Sequence, residues 1–276
     1  MTQPTSASAL DTENYGFLRD YIHRQSGILL DDDKHYLLEA RLMPIVEELH
    51  LPSLIALCQT LKASEAPLRK KVVEAMTTHE TLFFRDNTPF EALKKELLPQ
   101  LKEQRQSDRR IRIWCAAASS GQEPYSVAML LLEAGFADWN IEILGTDISD
   151  QVLQRAREGK YMQLEVNRGL PAQYLVKYFE REGLEWRVKE NLRKMVRFEQ
   201  ADLRQPPRGG GYDFVFCRNV LIYFDIPTKK LILESLRNAL TPGGYLALGS
   251  AESTLGLDEV FKRAVIGNAR FYQAPK

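Results

Sequence analysis

The chain has 276 residues, with 37 Lys/Arg against 37 Asp/Glu and a formal net charge of zero. That length supports one large or two modest domains around a sizeable core, and the neutral balance gives no sign of a nucleic-acid partner. Three scattered cysteines, Cys58, Cys115 and Cys217, lack C-x-x-C spacing, which argues against a disulfide framework or a zinc site, so no metal is expected.

Taken in chain order, the N-terminal stretch MTQPTSASALDTENYG is polar and lacks an apolar signal core. No apolar run approaches membrane-spanning length. A monomer in a reducing, cytoplasmic setting, without direct membrane insertion, is the expectation. From Tyr15 to about Met76 apolar residues recur every three or four positions: Tyr15, Leu18 and Ile22, then Tyr36, Leu37, Leu42, Ile45, Val46 and Leu49, then Leu54, Leu57, Cys58 and Leu61. That period predicts a small helical bundle. Asp31, Asp32 and Asp33 are cap candidates for its second helix, and Leu68–Met76 forms its last. Phe90–Leu101 predicts a further amphipathic helix, and the polar run Lys102–Arg110 leads into a different pattern.

From Ile111 strands and helices alternate. Strands are predicted at Ile111–Cys115, Ile141–Thr146, Met195–Gln200, Phe214–Cys217 and Tyr245–Leu248, with helices at Pro124–Glu133, Asp150–Glu158 and Thr228–Leu240. Thr241-Pro242-Gly243-Gly244 reads as a helix stop. Val260–Ile266 and Ala269–Gln273 flank Gly267-Asn268 as a hairpin. Such alternation predicts an α/β fold: a doubly wound, Rossmann-like sheet, mostly parallel, with an antiparallel C-terminal hairpin and an N-terminal all-helical domain. More than 30 residues separate Glu158 from the third strand, too many for an ordinary loop. Leu175–Phe179, the Glu182-Gly183 turn and the alternating Leu184–Val188 predict an inserted helix and small antiparallel sheet. The expected division is 1–84 for the helical domain and linker and 85–276 for the α/β domain, with the insert at about 161–194.

The chemistry gathers at the strand ends. The turn after the first strand, Ala116-Ala117-Ala118-Ser119-Ser120-Gly121, holds one glycine where a dinucleotide site would show G-x-G-x-x-G. A ligand without a pyrophosphate needs less clearance and less anion binding. S-adenosylmethionine is such a ligand, and Glu123 can accept hydrogen bonds from its ammonium group. Packing of the turn is the competing reading of the alanines. Asp147 ends the second strand, where an acid accepts ribose hydroxyls. Its competing role as a helix cap is better filled by Ser149 or Asp150. Asp202-Leu203 follows the third strand, either to bond and cover an adenine or as a turn before Pro206-Pro207. Arg218 and Asn219 follow the fourth, with Tyr223 four residues on. These three either face the ligand cleft or form a surface pair with a core aromatic. All four histidines, His23, His35, His50 and His79, fall in the first 79 residues, which disfavours chemistry built on an imidazole base.

With these residues assembled, the chain resembles the chemotaxis receptor methyltransferases, the CheR family of protein-glutamate O-methyltransferases. The resemblance runs from about Tyr15 to Tyr272. It rests on Thr77–Arg85, AAASSGQEPYS at Ala116–Ser126, GTDIS at Gly145–Ser149, CRNVLIYF at Cys217–Phe224 and LGSAES at Leu248–Ser253. It implies S-adenosylmethionine as cofactor, S-adenosylhomocysteine as product and methyl transfer to glutamate carboxylates on the cytoplasmic helical domain of chemoreceptors. By the same resemblance Thr81, Arg85, Glu123, Asp147, Asp202, Leu203, Arg218 and Asn219 are cofactor contacts. His79 joins them at a position where many members carry Asn. Asp202 stands where some have Asn. The turn around Arg181-Glu182-Gly183 is short beside members whose inserted sheet binds a tethering peptide.

A free glutamate is already ionised at pH 7, with a reference pKa of about 4.3, so no general base is required. Arg85 is the candidate to hold the incoming carboxylate in its planar fork, and Tyr223 to orient the same oxygen or the methyl group. A salt bridge from Arg85 to Glu80 or Asp86 is the competing structural role. Two basic surfaces compete as receptor docking sites. One is Lys34, His35 and Arg41 on the second helix. The other is residues 155–208, with 13 Lys/Arg against 8 Asp/Glu. Alternative readings are a methyltransferase of small molecules and a non-catalytic module that senses the cofactor. A nicotinamide dehydrogenase is the least favoured.

Overall fold

The computed structural model describes residues 10–31, 33–63, 66–254 and 261–276. Its contacts divide the chain into two units, Met1–Thr78 with Tyr223–Asp225, and His79–Ile222 with Ile226–Lys276.

The first unit is helical: α1 (Thr12–Ser26), α2 (His35–Glu48), α3 (Leu54–Ala63) and α4 (Ala66–Met76). Asp11 caps α1 by accepting from Asn14 N–H at 2.8 Å, and Gly27 ends it in the left-handed conformation (φ 79°). Leu18, Ile22, Leu38, Leu42, Val46, Leu57 and Cys58 are buried in its core. The expected second helix differs in two respects. Tyr36 and Leu49 are exposed, and Leu38 takes the core position. The expected aspartate cap is not made either, because the chain turns from Asp31 to Lys34, whose N–H bonds the Asp31 carbonyl. Lys34, with no side-chain cap bond, becomes the flanking residue. Asp32, the middle cap candidate, lies outside the described residues. Within this unit Ile28 bridges Phe224, Leu29 N–H bonds the Tyr223 carbonyl at 2.8 Å, and His23 Nε2 lies 3.1 Å from Asp225.

The second unit is an α/β sandwich around a seven-stranded sheet. In sequence it contains α5 (Thr88–Ala92), α6 (Leu98–Gln104), β1 (Arg110–Ala116), α7 (Gln122–Glu133), β2 (Asn140–Asp147) and α8 (Asp150–Glu158). The insert follows: β3 (Lys160–Met162), α9 (Gln163–Asn167), α10 (Ala172–Tyr178), β4 (Phe179–Glu182), β5 (Glu185–Val188) and α11 (Glu190–Arg193). Then come β6 (Val196–Gln200), β7 (Tyr212–Cys217), α12 (Ile226–Ala239), β8 (Leu240–Leu248), β9 (Lys262–Ile266) and β10 (Ala269–Gln273). The sheet order is β6-β2-β1-β7-β8-β10-β9, parallel from β6 to β8 and antiparallel at β10 and β9. The insert folds as a separate antiparallel sheet, β3-β5-β4. Strand order reverses about β1, which opens a crevice beyond the carboxyl ends of β1 and β7, where ligands of such sheets bind.

Central strands read as apolar runs because both faces are covered. Ile111, Ile113, Cys115, Phe214, Val215 and Phe216 are all buried. Three local features differ from the sequence expectation. The helix expected at Phe90–Leu101 is broken by a π-turn at Leu93–Leu97, closed by Leu98 N–H on the Leu93 carbonyl. Pro99, next in the chain, has no N–H to continue an ordinary ladder. The expected stop at Thr241–Gly244 lies inside β8 as a bulge, where two steps along β7 (Tyr212 to Phe214) face five along β8 (Leu240 to Tyr245). Finally α12 starts two residues early, because Pro227 is tolerated in a first helical turn. The first residue expected in the C-terminal hairpin, Val260, lies outside the described residues. Among those described, no helix is long and apolar enough to cross a membrane.

Candidate functional site

The turn joining β1 to α7 is wound tightly. Ala117, Ser119 and Gly121 all have positive φ (58°, 49° and 94°). Glycine is required at 121 on two grounds. Its φ is left-handed, and a Cβ there would lie 3.0 Å from Ala156 Cβ and 3.2 Å from Phe198 and the Tyr161 hydroxyl. Tyr161 donates to the Ser120 carbonyl at 2.7 Å, so the insert's first strand braces the turn.

Asp147 closes β2 and is 8 % exposed. Its Oδ2 accepts from Ser119 N–H at 2.9 Å and its Oδ1 from Ser149 N–H at 3.0 Å. Ser149, not Asp147, caps α8. Burial raises the Asp147 pKa, opposed by these two N–H groups and by the field of His79. Ser119 in turn donates its hydroxyl to the His79 carbonyl at 3.0 Å. His79, Ser119 and Asp147 are thereby tied into one chain of contacts.

A second cluster forms beyond β7. Arg218 is 7 % exposed, and its guanidinium is spent inside the protein. Nη1 lies 3.1 Å from Glu123 Oε2, while Nη2 donates to the Arg85 carbonyl at 2.8 Å and to Asp86 Oδ2 at 2.7 Å. Burial raises the Glu123 pKa, and the adjacent Arg218 charge opposes that rise. Two buried polar atoms here have no hydrogen-bond partner among the described residues, Arg218 Nε and Asn219 Oδ1. Buried orphans of this kind are uncommon, and these two lie on adjacent residues directly after β7, at the carboxyl-end edge where ligands of such sheets bind.

Arg85 is half-buried and donates to the Glu80 carbonyl at 3.0 Å. Its carboxylate neighbours do not capture it, because Asp86 belongs to Arg218. The backbone around it is strained, with Phe84, Asp86 and Asn87 at φ 49°, 61° and 35°. Ser126 anchors one end by accepting from Phe84 N–H at 3.0 Å. Thr81 and Leu203 are half-buried, and Asp202 is wrapped by its neighbour Arg204, whose Nε lies 3.0 Å from both carboxylate oxygens. Ala201 N–H bonds the Asp147 carbonyl at 3.0 Å, which sets Asp202 beside the end of β2. Tyr223 belongs to the helical unit.

Sequence reasoning passed over two groups. One is Asp86, weighed only as a partner for Arg85. The other is Glu252, quoted within LGSAES without a role. Glu252 is 5 % exposed and accepts from the N–H groups of Asn219, Val220, Leu221 and Gly249 at 2.6–2.8 Å. The available signal was a lone acid in a Gly/Ser-rich turn directly after a buried strand. The docking candidate Arg41 is committed within the helical unit, donating to the carbonyls of Met76 (2.6 Å) and Thr77 (2.8 Å) and to the Thr78 hydroxyl (2.9 Å). His35 stacks on Tyr15 with ring centroids 3.5 Å apart.

Residues 13–77 match the CheR methyltransferase all-alpha domain, and residues 79–268 the CheR methyltransferase SAM binding domain. The chain is 39% identical to the chemotaxis protein methyltransferase Cher2 of Pseudomonas putida, over 98% of this chain and 99% of that protein. It is 38% identical to chemotaxis protein methyltransferase 1 of Pseudomonas aeruginosa, over 95% of this chain and 97% of that one. It is 41% identical to the chemotaxis protein methyltransferase of Vibrio parahaemolyticus, over 94% and 95%. The two matches together cover the helical unit and the sheet-bearing unit, and the chain belongs to the CheR methyltransferases, enzymes that use S-adenosylmethionine.

Proposed function

We propose that the enzyme methylates the side-chain carboxylates of glutamates on the cytoplasmic helical domain of chemoreceptors, giving methyl esters. The carrying observation is similarity over 94–98% of the chain to proteins named chemotaxis protein methyltransferases, spanning both units rather than the cofactor domain alone.

The residues present fit the cofactor. Asn219 Oδ1, an unpaired acceptor, and Arg218 Nε, an unpaired donor, suit the ammonium and carboxylate of an amino-acid moiety. Glu123 uses only Oε2 on Arg218, which leaves Oε1 for the same ammonium. Asp147 keeps lone pairs for ribose hydroxyls beside its two backbone bonds, because an ionised carboxylate has about four acceptor sites. Asp202 and Leu203 are assigned to the adenine, with Arg204 sharing the Asp202 carboxylate, and His79 and Thr81 to the rim of the pocket.

When bound, S-adenosylmethionine supplies an electrophilic methyl group on a positively charged sulfur. The protein's part is to align and to dry. A glutamate acceptor arrives ionised, so no residue need remove a proton, in keeping with the absence of histidine after His79. Arg85 holds the acceptor carboxylate. Alignment alone is worth on the order of 7 kcal/mol. Charge diminishes as donor and acceptor combine, so a site that excludes water favours the reaction. The test is incubation with methyl-labelled donor and receptor-containing membranes. Base-labile label on a receptor band is expected. Label that survives base, or that appears only on small molecules, would refute the proposal.

A further inference from the structure

The geometry points to Glu252 as a positioning residue for the cofactor site: its buried carboxylate gathers four backbone N–H groups and so fixes the strand-end loop that presents Arg218 and Asn219. This deepens the reading above, since it rests on those two residues being cofactor contacts.

The carboxylate works as a two-sided knot. Oε2 accepts from Asn219 N–H at 2.8 Å and from Gly249 N–H at 2.6 Å, and Oε1 from Val220 at 2.8 Å and Leu221 at 2.7 Å. Three of these donors follow β7 and the fourth follows β8, so one side chain ties the carboxyl ends of two neighbouring strands. No cation pairs with Glu252 among the described residues; backbone dipoles alone offset its charge. The loop needs such a tie. Asn219 sits at φ 57°, a left-handed conformation uncommon outside glycine though better tolerated by Asn than by most residues, and its N–H is one of the four the carboxylate holds. Its side-chain Oδ1 is left unpaired and buried, so the knot aims an unsatisfied acceptor. Fit around the knot is close. A Cβ on Gly249 would lie 2.7 Å from Glu252 Oε2, 2.8 Å from Asn219 Nδ2 and 2.9 Å from Asn219 N.

Glu252→Gln keeps the shape but turns an NH2 donor toward two N–H groups, which breaks half the knot. Gly249→Ala displaces the same carboxylate by contact and is an independent perturbation. Asn219→Gly removes the contact side chain without straining its backbone. Binding of S-adenosylhomocysteine to each full-length protein would be followed by calorimetry, beside thermal unfolding. Expected is roughly tenfold weaker binding for Asn219→Gly, Glu252→Gln and Gly249→Ala, with the Asn219→Gly/Glu252→Gln double variant well short of the hundredfold that independence requires. A purely structural role would lower the unfolding midpoint and leave the affinity of the folded protein within twofold. That result, or full additivity, overturns the inference. If Asn219→Gly alone binds normally, the contact reading itself falls. Receptor methylation does not enter the measurement, so its failure is a separate outcome.

Discussion

Arg218 Nη2 stands 2.7 Å from Asp86 Oδ2, and the same nitrogen holds the carbonyl of the residue before it, Arg85. One buried guanidinium therefore links Glu123, at the start of α7, to the strained segment that carries the proposed substrate clamp. Arg218→Ala strands the buried Glu123 charge, and a loss of about 3–5 kcal/mol in urea unfolding is expected. Asp86→Ala should act differently. The Asp86 side chain is 39% exposed, so stability should fall by about 1 kcal/mol or less while turnover falls several-fold through a loosened Arg85. A stability loss as large as that of Arg218→Ala would contradict this.

Arg85→Ala is expected to lower kcat by roughly a hundredfold or more, as loss of a group serving the reacting centre does. Affinity for S-adenosylhomocysteine should change by less than about threefold, because the loss falls on the reacting complex rather than on cofactor binding. Equal losses in both would make Arg85 a cofactor ligand.

Cofactor binding should depend on acid. Burial raises the Asp147 pKa above that of an ordinary aspartate, and the ionised form is the one that accepts hydroxyl donors. Binding is therefore complete above the raised pKa and is lost as pH falls through it, sooner than an unperturbed aspartate would dictate. Titrations of the product from pH 7 downward should show that decline. Asp147→Asn should bind about tenfold more weakly at pH 7 and show a shallower decline, the remainder belonging to buried Glu123, whose pKa is also raised. An unchanged decline in Asp147→Asn would assign it to another group.

The three thiols should be inert in the folded enzyme. Burial pushes Cys58 up to about 11 and Cys115 and Cys217 well above the ordinary thiol range, and the thiolate is the reactive form. Iodoacetamide at pH 8 should leave the native protein unmodified by mass spectrometry and label three sites after denaturation. Rapid native labelling would contradict the burial.

Arg41 should prove structural. Its guanidinium serves the carbonyls at the end of α4, so Arg41→Ala is expected to cost about 1–2 kcal/mol of stability. Charge reversal at Arg187 and Lys189 should instead weaken receptor methylation in a salt-dependent way if residues 155–208 dock the receptor. Salt-independent rates would remove that surface.

The order of strands and helices was legible because buried parallel strands are rich in apolar residues: 214–217 is an unbroken run, and 111–115 and 141–146 are each interrupted by one charged residue, Arg112 and Glu142, which pair with each other. The inserted sheet was legible from an overlong connection. Departures occurred where one atom outranks a pattern. The missing N–H of Pro99 allows a π-turn within a good amphipathic helix. Four residues that look like a helix stop, Thr241–Gly244, bulge within a ladder because flanking Leu240 and Tyr245 both find partners on β7. At the site, residue types at the strand ends singled out Asp147 and Glu123 as candidates, and both are buried. Pairings across 95 positions, such as Arg218 with Glu123, and the four-amide hold of Glu252 depend on which strand ends meet, and no local spacing encodes that.

Phe84, Asp86 and Asn87 all carry a positive φ, which glycine adopts most readily, yet none is glycine. A search for heat-resistant variants would reach glycine substitutions here early, Phe84→Gly excepted because that ring is buried, since glycine relieves a positive φ. The same changes would free the chain beside Arg85. Robustness and aim are thus set against each other in four consecutive residues, and hardening this enzyme by that route would blunt it.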